Sequence, residues 1–144
     1  MASNALTFEA GGLYILVSNI GAESYFHWGL YHALTPSDGL ISHLINTPLT
    51  NHRWAYQSKH SSRVSHSLNL LVAVQVGVLE PVLWSALCDR LARISVSSSA
   101  RHGHMTCRVW VKRALEELDD EGYIVLARSV DVVEDEAVLM ARWN

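Results

Sequence analysis

Apolar and polar positions alternate along the first half of the chain and recur every three or four residues along the second. Residues 12–20, Gly12-Leu13-Tyr14-Ile15-Leu16-Val17-Ser18-Asn19-Ile20, read as a strand closed by Gly21. A second strand is predicted over 25–34 and a third over 40–45, with Pro36-Ser37-Asp38-Gly39 turning the chain between them into a hairpin. Trp54-Ala55-Tyr56-Gln57 predicts another short strand and His60-Ser61-Ser62-Arg63 a polar connection. The Leu- and Val-rich run 66–76 predicts a strand ended by Gly77. After Glu80-Pro81, where proline suits a first helical turn, Val82, Leu83, Ala86, Leu87, Leu91 and Ile94 keep helical spacing. A second helix is predicted from Thr106 to Asp120, with Val111, Ala114, Leu115 and Leu118 on one side and Gly122 at its end. Tyr123–Ala127 reads as a strand, 131–142 as a last helix, 97–104 as the most loop-like stretch and 1–6 as a loose tail. With no repeat and no linker, strands followed by helices predict a single α+β domain over 1–144, an antiparallel sheet with packed helices.

Composition narrows the partners. With 49% apolar residues in 144, the chain can fill a core of its own. A formal net charge of −3 with scattered Lys and Arg offers no basic stripe, so no nucleic-acid partner is expected. The longest apolar stretch, Leu68 to Leu79, is interrupted by Asn69, Gln75 and Gly77 and is too short to span a bilayer, so no stable membrane insertion is expected. Residues 1–12 lack a basic start and a long apolar core, which argues against a secretory leader. Two cysteines are no disulfide framework; Cys88 and Cys107 read as reduced thiols of a cytoplasmic protein.

Three residues then stand out. Thr106 can cap the second helix, which places Cys107 in its first turn, where unpaired backbone N–H groups and the aligned peptide dipoles favour a thiolate. His27 shares a strand face with Tyr25, Gly29 and Tyr31, the less greasy side of that strand, and Gly29 leaves room for a partner to come close. His43 lies between Ile41 and Ile45 on its own strand, and the hairpin can bring it to His27. Cysteine attack on a carbonyl needs a thiol, an imidazole base and a group that orients the imidazole, and Cys107, His27 and His43 can supply them. Cys88 shares a helix face with Trp84, Leu87 and Leu91 and reads as core.

The order of these motifs resembles the permuted papain-like cysteine enzymes, in particular the lecithin retinol acyltransferase and phospholipase/acyltransferase group and the related cell-wall cysteine peptidases. Phe26-His27-Trp28-Gly29-Leu30-Tyr31 looks like the group's His-Trp strand, Asp38-Gly39-Leu40-Ile41-Ser42-His43-Leu44 like its second histidine strand, and Thr106-Cys107 through Leu118 like its nucleophile helix. The resemblance implies a permuted papain-like domain with Cys107 as nucleophile, His27 as base and His43 as its orienting partner. It also implies hydrolase or acyltransferase chemistry at an amide, ester or thioester, on a small-molecule, lipid or peptide substrate.

Further residues are candidates for binding. Trp54 and Tyr56, two apart, can line an aromatic groove, and His102 and His104 can border it as loop donors. His102, His104 and Cys107 with His27 or His43 would make four zinc ligands, but the His-x-His spacing in a glycine-containing loop is no zinc signature, so neither metal nor cofactor is expected. The acidic residues 116–121 read as a solvated helix end, and Glu134-Asp135-Glu136 as a polar face. Thr106 stands where the group usually carries asparagine, and Arg108-Val109-Trp110 replaces its usual sequel to the cysteine. Those departures and the aromatic pair support the alternative, a non-enzymatic binding domain of the same fold with a protein partner.

Overall fold

The alternating first half of the chain forms one antiparallel sheet, and the helically spaced second half packs across it. The computed structural model describes residues 7–19, 26–64, 67, 69–98 and 100–143. The strands are β1 (Gly12–Asn19), β2 (Phe26–Ala33), β3 (Gly39–Ile45), β4 (Ala55–Ser61) and β5 (Leu70–Val78), in the order β4-β3-β2-β1-β5. The helices are α1 (Trp84–Ala92), α2 (Cys107–Asp120) and α3 (Val130–Trp143). This is an α+β domain with a five-stranded antiparallel sheet and three packed helices. The tail at 1–6, the closing Gly21 and the strand residue Tyr25 lie outside the described residues.

Each central strand buries both faces. Leu13, Ile15 and Val17 of β1, Trp28 and Leu30 of β2 and Leu44 of β3 join Trp110, Val111, Ala114, Leu115 and Leu118 of α2 in the main core. Residues of opposite parity, Tyr14, Leu16, Tyr31 and Ala33, form a second cluster with Phe8 and Val64. The His27 side of β2 is packed as well as the other, with Tyr31 and Ala33 fully buried there.

Three elements differ from expectation. β4 extends to Ser61, through residues expected to be polar connection, because its backbone pairs with β3 from Gly39↔Ser61 to Ile45↔Ala55 while Ser58, Lys59 and His60 stay exposed on an edge strand. β5 runs on through Gly77 to Val78, and Ile124 packs where a Cβ on Gly77 would stand. Tyr123–Ala127 forms no strand, since its amides are used locally: Tyr123 N–H donates to the Leu118 carbonyl and Leu126 N–H to Asp119 Oδ1 at 3.0 Å. The acidic end of α2 is also more than a solvated surface. The Arg90 guanidinium of α1 bonds Glu117 at 2.6 Å and also reaches Glu121, joining the two helices. Likewise Glu134, only 14% exposed, pairs with Lys112 at 2.9 Å and with Arg108.

Candidate functional site

The site starts from a short ladder. β1 and β2 pair over seven positions, whereas β2 and β3 pair only from Ala33↔Gly39 to Leu30↔Ser42. Continuing that register sets Gly29 opposite His43, and the β3–β4 ladder sets His43 opposite Gln57. A Cβ on Gly29 would stand 3.2 Å from His43 Cβ, so the room left by the glycine is already used by the histidine. Two residues along β2, the His27 ring meets His43 edge-on: Nε2 of His27 and Nδ1 of His43 are 2.6 Å apart, with the ring planes at 73°. Gln57 Oε1 lies 2.8 Å from Nε2 of His43. Sequence pattern alone does not reveal Gln57, because its role depends on the β3–β4 register.

Cys107 approaches this end of the sheet at the start of α2. Thr106 adopts extended backbone and its Oγ1 accepts from Val109 N–H at 3.1 Å, the expected N-cap. The backbone N–H groups of Trp28, Arg108 and Cys107 itself favour the charged form of the thiol. A cleft of about 520 Å³ opens there, walled by Phe26, His27, Trp28, Leu44, Ile45, Trp54, Cys107 and Arg108 among others. Arg108 stacks over the Trp28 ring, 5.2 Å from its centre. The structure thus joins His27 to His43 directly and sets Cys107 in one cleft with His27. Among the described residues no hydrogen bond links the thiol to either imidazole.

Burial governs the charges. It lowers His27 to about 4, helped by His43 and by the positive charge of Lys59. Burial also lowers His43, against the hydrogen bond to Gln57 that raises it. It pushes the Cys107 thiol up, while the surrounding N–H groups and Arg108 pull it down less strongly. At neutral pH the resting site holds a thiol and neutral imidazoles.

The four binding candidates separate. Trp54 walls the cleft. Tyr56 turns to the helix side, its ring 5.8 Å from Trp110 and its hydroxyl 3.2 Å from Ser42 Oγ. Both aromatics pack against the main core, as residues two apart on one face should, but only Trp54 reaches the cleft wall. His102 bonds Glu116 at 2.6 Å in a separate polar depression beside the α3 start, and His104 is exposed outside the cleft. Cys88 and Cys107 are both free thiols, Cys88 half-buried with Sγ 3.7 Å from Ser58 Oγ. Among the described residues no three His, Cys, Asp or Glu side chains converge as metal ligands, and no helix is long and apolar enough to cross a membrane.

These features define an α+β domain whose cleft lies where the β2–β3 ladder has ended and α2 starts. The chain belongs to the family of unknown function DUF6914, whose profile matches residues 12–141. No curated protein and no solved structure matches the chain.

Proposed function

We propose that this domain is a cysteine acyl-transfer or hydrolytic enzyme of the permuted papain-like kind, acting on an amide, ester or thioester carbonyl. The observation that carries the reading is the shared cleft: Cys107, at the start of a capped helix, and His27 both line it, and His27 is held by His43. In this mechanism the thiol proton passes to His27 as sulfur bonds to the carbonyl carbon and the carbonyl π pair moves onto oxygen. Backbone N–H groups near Cys107 hold that oxyanion. Its collapse breaks the bond to the leaving group, which takes the proton from His27. Water or a second nucleophile, deprotonated by His27, then attacks the thioester and releases Cys107 as a thiol. A neutral resting pair means that the proton moves during attack rather than beforehand. Walls of Phe26, Trp28, Leu44, Ile45 and Trp54 suit an apolar acyl group. A cytoplasmic setting, which keeps both thiols reduced, belongs to the same proposal.

Mass spectrometry after exposure to p-nitrophenyl butyrate tests it. Cys107 should be acylated ahead of Cys88, and His27→Ala should slow the reaction by roughly 100-fold. Equal labelling of the two cysteines, unchanged in His27→Ala, would defeat the enzyme reading. It would favour the second one, a non-enzymatic binding domain using the same cleft. The raised thiol, the lowered imidazole and the lack, among the described residues, of a hydrogen bond between them are what favour that rival.

A further inference from the structure

Gln57 occupies the end of a polar row across three strands, followed by His43 and then His27, and none of the chemistry above uses it. The distances are 2.8 Å from Gln57 Oε1 to His43 Nε2 and 2.6 Å from His43 Nδ1 to His27 Nε2. An amide oxygen can only accept, so His43 must carry its proton on Nε2. Its Nδ1 is then a bare acceptor, which His27 can satisfy only by donating from its own Nε2. The remaining nitrogen of His27, Nδ1, is left unprotonated. The reverse chain, with the Gln57 amide donating, would put a proton on His27 Nδ1 and leave that ring no free base. We infer that Gln57 is a positioning residue that fixes both imidazoles in the Nε2–H tautomer and so leaves His27 Nδ1 as the proton-accepting atom.

Neighbouring groups are compatible with this direction. Lys59, two residues along β4, is a positive charge that disfavours a second proton on either ring. From α2, Cys107 and Arg108 face the cleft from the other side, and neither hydrogen-bonds either histidine among the described residues. Burial of His43, 8% exposed, makes an unpartnered ring nitrogen costly there, so the row is the way both of its nitrogens are satisfied. This assignment deepens the proposed reaction, in which His27 is the base, but its first test does not depend on catalysis.

Long-range ¹H–¹⁵N correlation spectra of the full chain at neutral pH read the tautomers directly. Both Nδ1 nitrogens should resonate as unprotonated and both Nε2 nitrogens as protonated. Gln57→Leu should mix the tautomers of His43 and His27, and Gln57→Glu, which keeps an acceptor, should preserve them. Circular dichroism and the backbone amide spectrum establish that each variant folds. In the butyrate assay Gln57→Leu should acylate Cys107 about tenfold more slowly, with Gln57→Glu recovering most of the rate. A wild-type spectrum with His43 protonated on Nδ1 overturns the inference, as does a folded Gln57→Leu protein with unchanged tautomers. Unchanged acylation in that variant overturns the positioning role. Wild-type protein that acquires no acyl group on Cys107 defeats the enzyme reading alone, and the spectra still decide the tautomers.

Discussion

Gly29 shows how one residue sets the spacing of the two histidines. Replacing a strand glycine with alanine ordinarily stabilises by limiting the unfolded chain, by about 0.4–1 kcal/mol. Here the added Cβ would meet His43 Cβ at 3.2 Å, tighter than an ordinary contact, and the hydrogen bonds on both ring nitrogens of His43 leave it little freedom to give. Crowding should win, so Gly29→Ala should lower stability by about 1–2 kcal/mol in denaturant titration and shift the ring signals of His27 and His43. Unchanged stability with unchanged ring signals would show that the close approach constrains nothing. At this scale the sequence was readable in parts. Alternation placed His27 and Gly29 on one face, and the turn at 36–39 made a hairpin that could deliver His43. It could not place Gln57, whose partner is set by a ladder to another strand, nor tell that Trp54 reaches the cleft while Tyr56 packs on Trp110.

At the level of elements, α2 was the most legible piece, because its cap, its apolar stripe and its terminal glycine agree with one another. The Thr106 hydroxyl accepts from Val109 N–H and fixes the turn that carries Cys107. Thr106→Ala should cost about 1 kcal/mol in denaturant midpoint analysis, while Thr106→Ser should cost little. If alanine proves as stable as threonine, the cap has no energetic role. β4 was only half legible because an edge strand needs no apolar outer face; its backbone bonds, which no hydropathy pattern records, define it. The Tyr123–Ala127 segment misled for the opposite reason. Its apolar residues are anchored as an irregular strap, with Ile124 against Gly77 and Leu126 held by Asp119.

Across the whole molecule, the histidines connect burial to acid sensitivity. Burial lowers His27, His43 and His32, and His32 is 3% exposed with its ring edge-on to Trp84 at 5.2 Å. In the unfolded chain each takes up a proton near pH 6.5. In the folded protein each resists protonation to lower pH, His27 to about 4. Between those values the unfolded state binds more protons, so stability falls as the pH drops. Thermal melts should show a declining Tm from pH 6.5 toward pH 4, and His32→Phe should flatten part of that decline. A Tm independent of pH across this window would mean that the buried rings are not held neutral.

The short β2–β3 ladder has a mechanical meaning as well. β1 and β2 form one ribbon and β3 and β4 another, each laced along seven positions, and the two ribbons are fastened by only four. The seam where His27 faces His43 has the fewest rungs, and α2, packed against both β2 and β3, bridges it. Parting the two ribbons would also require lifting α2 from one of them, so the helix rather than the ladder is the clasp of that seam.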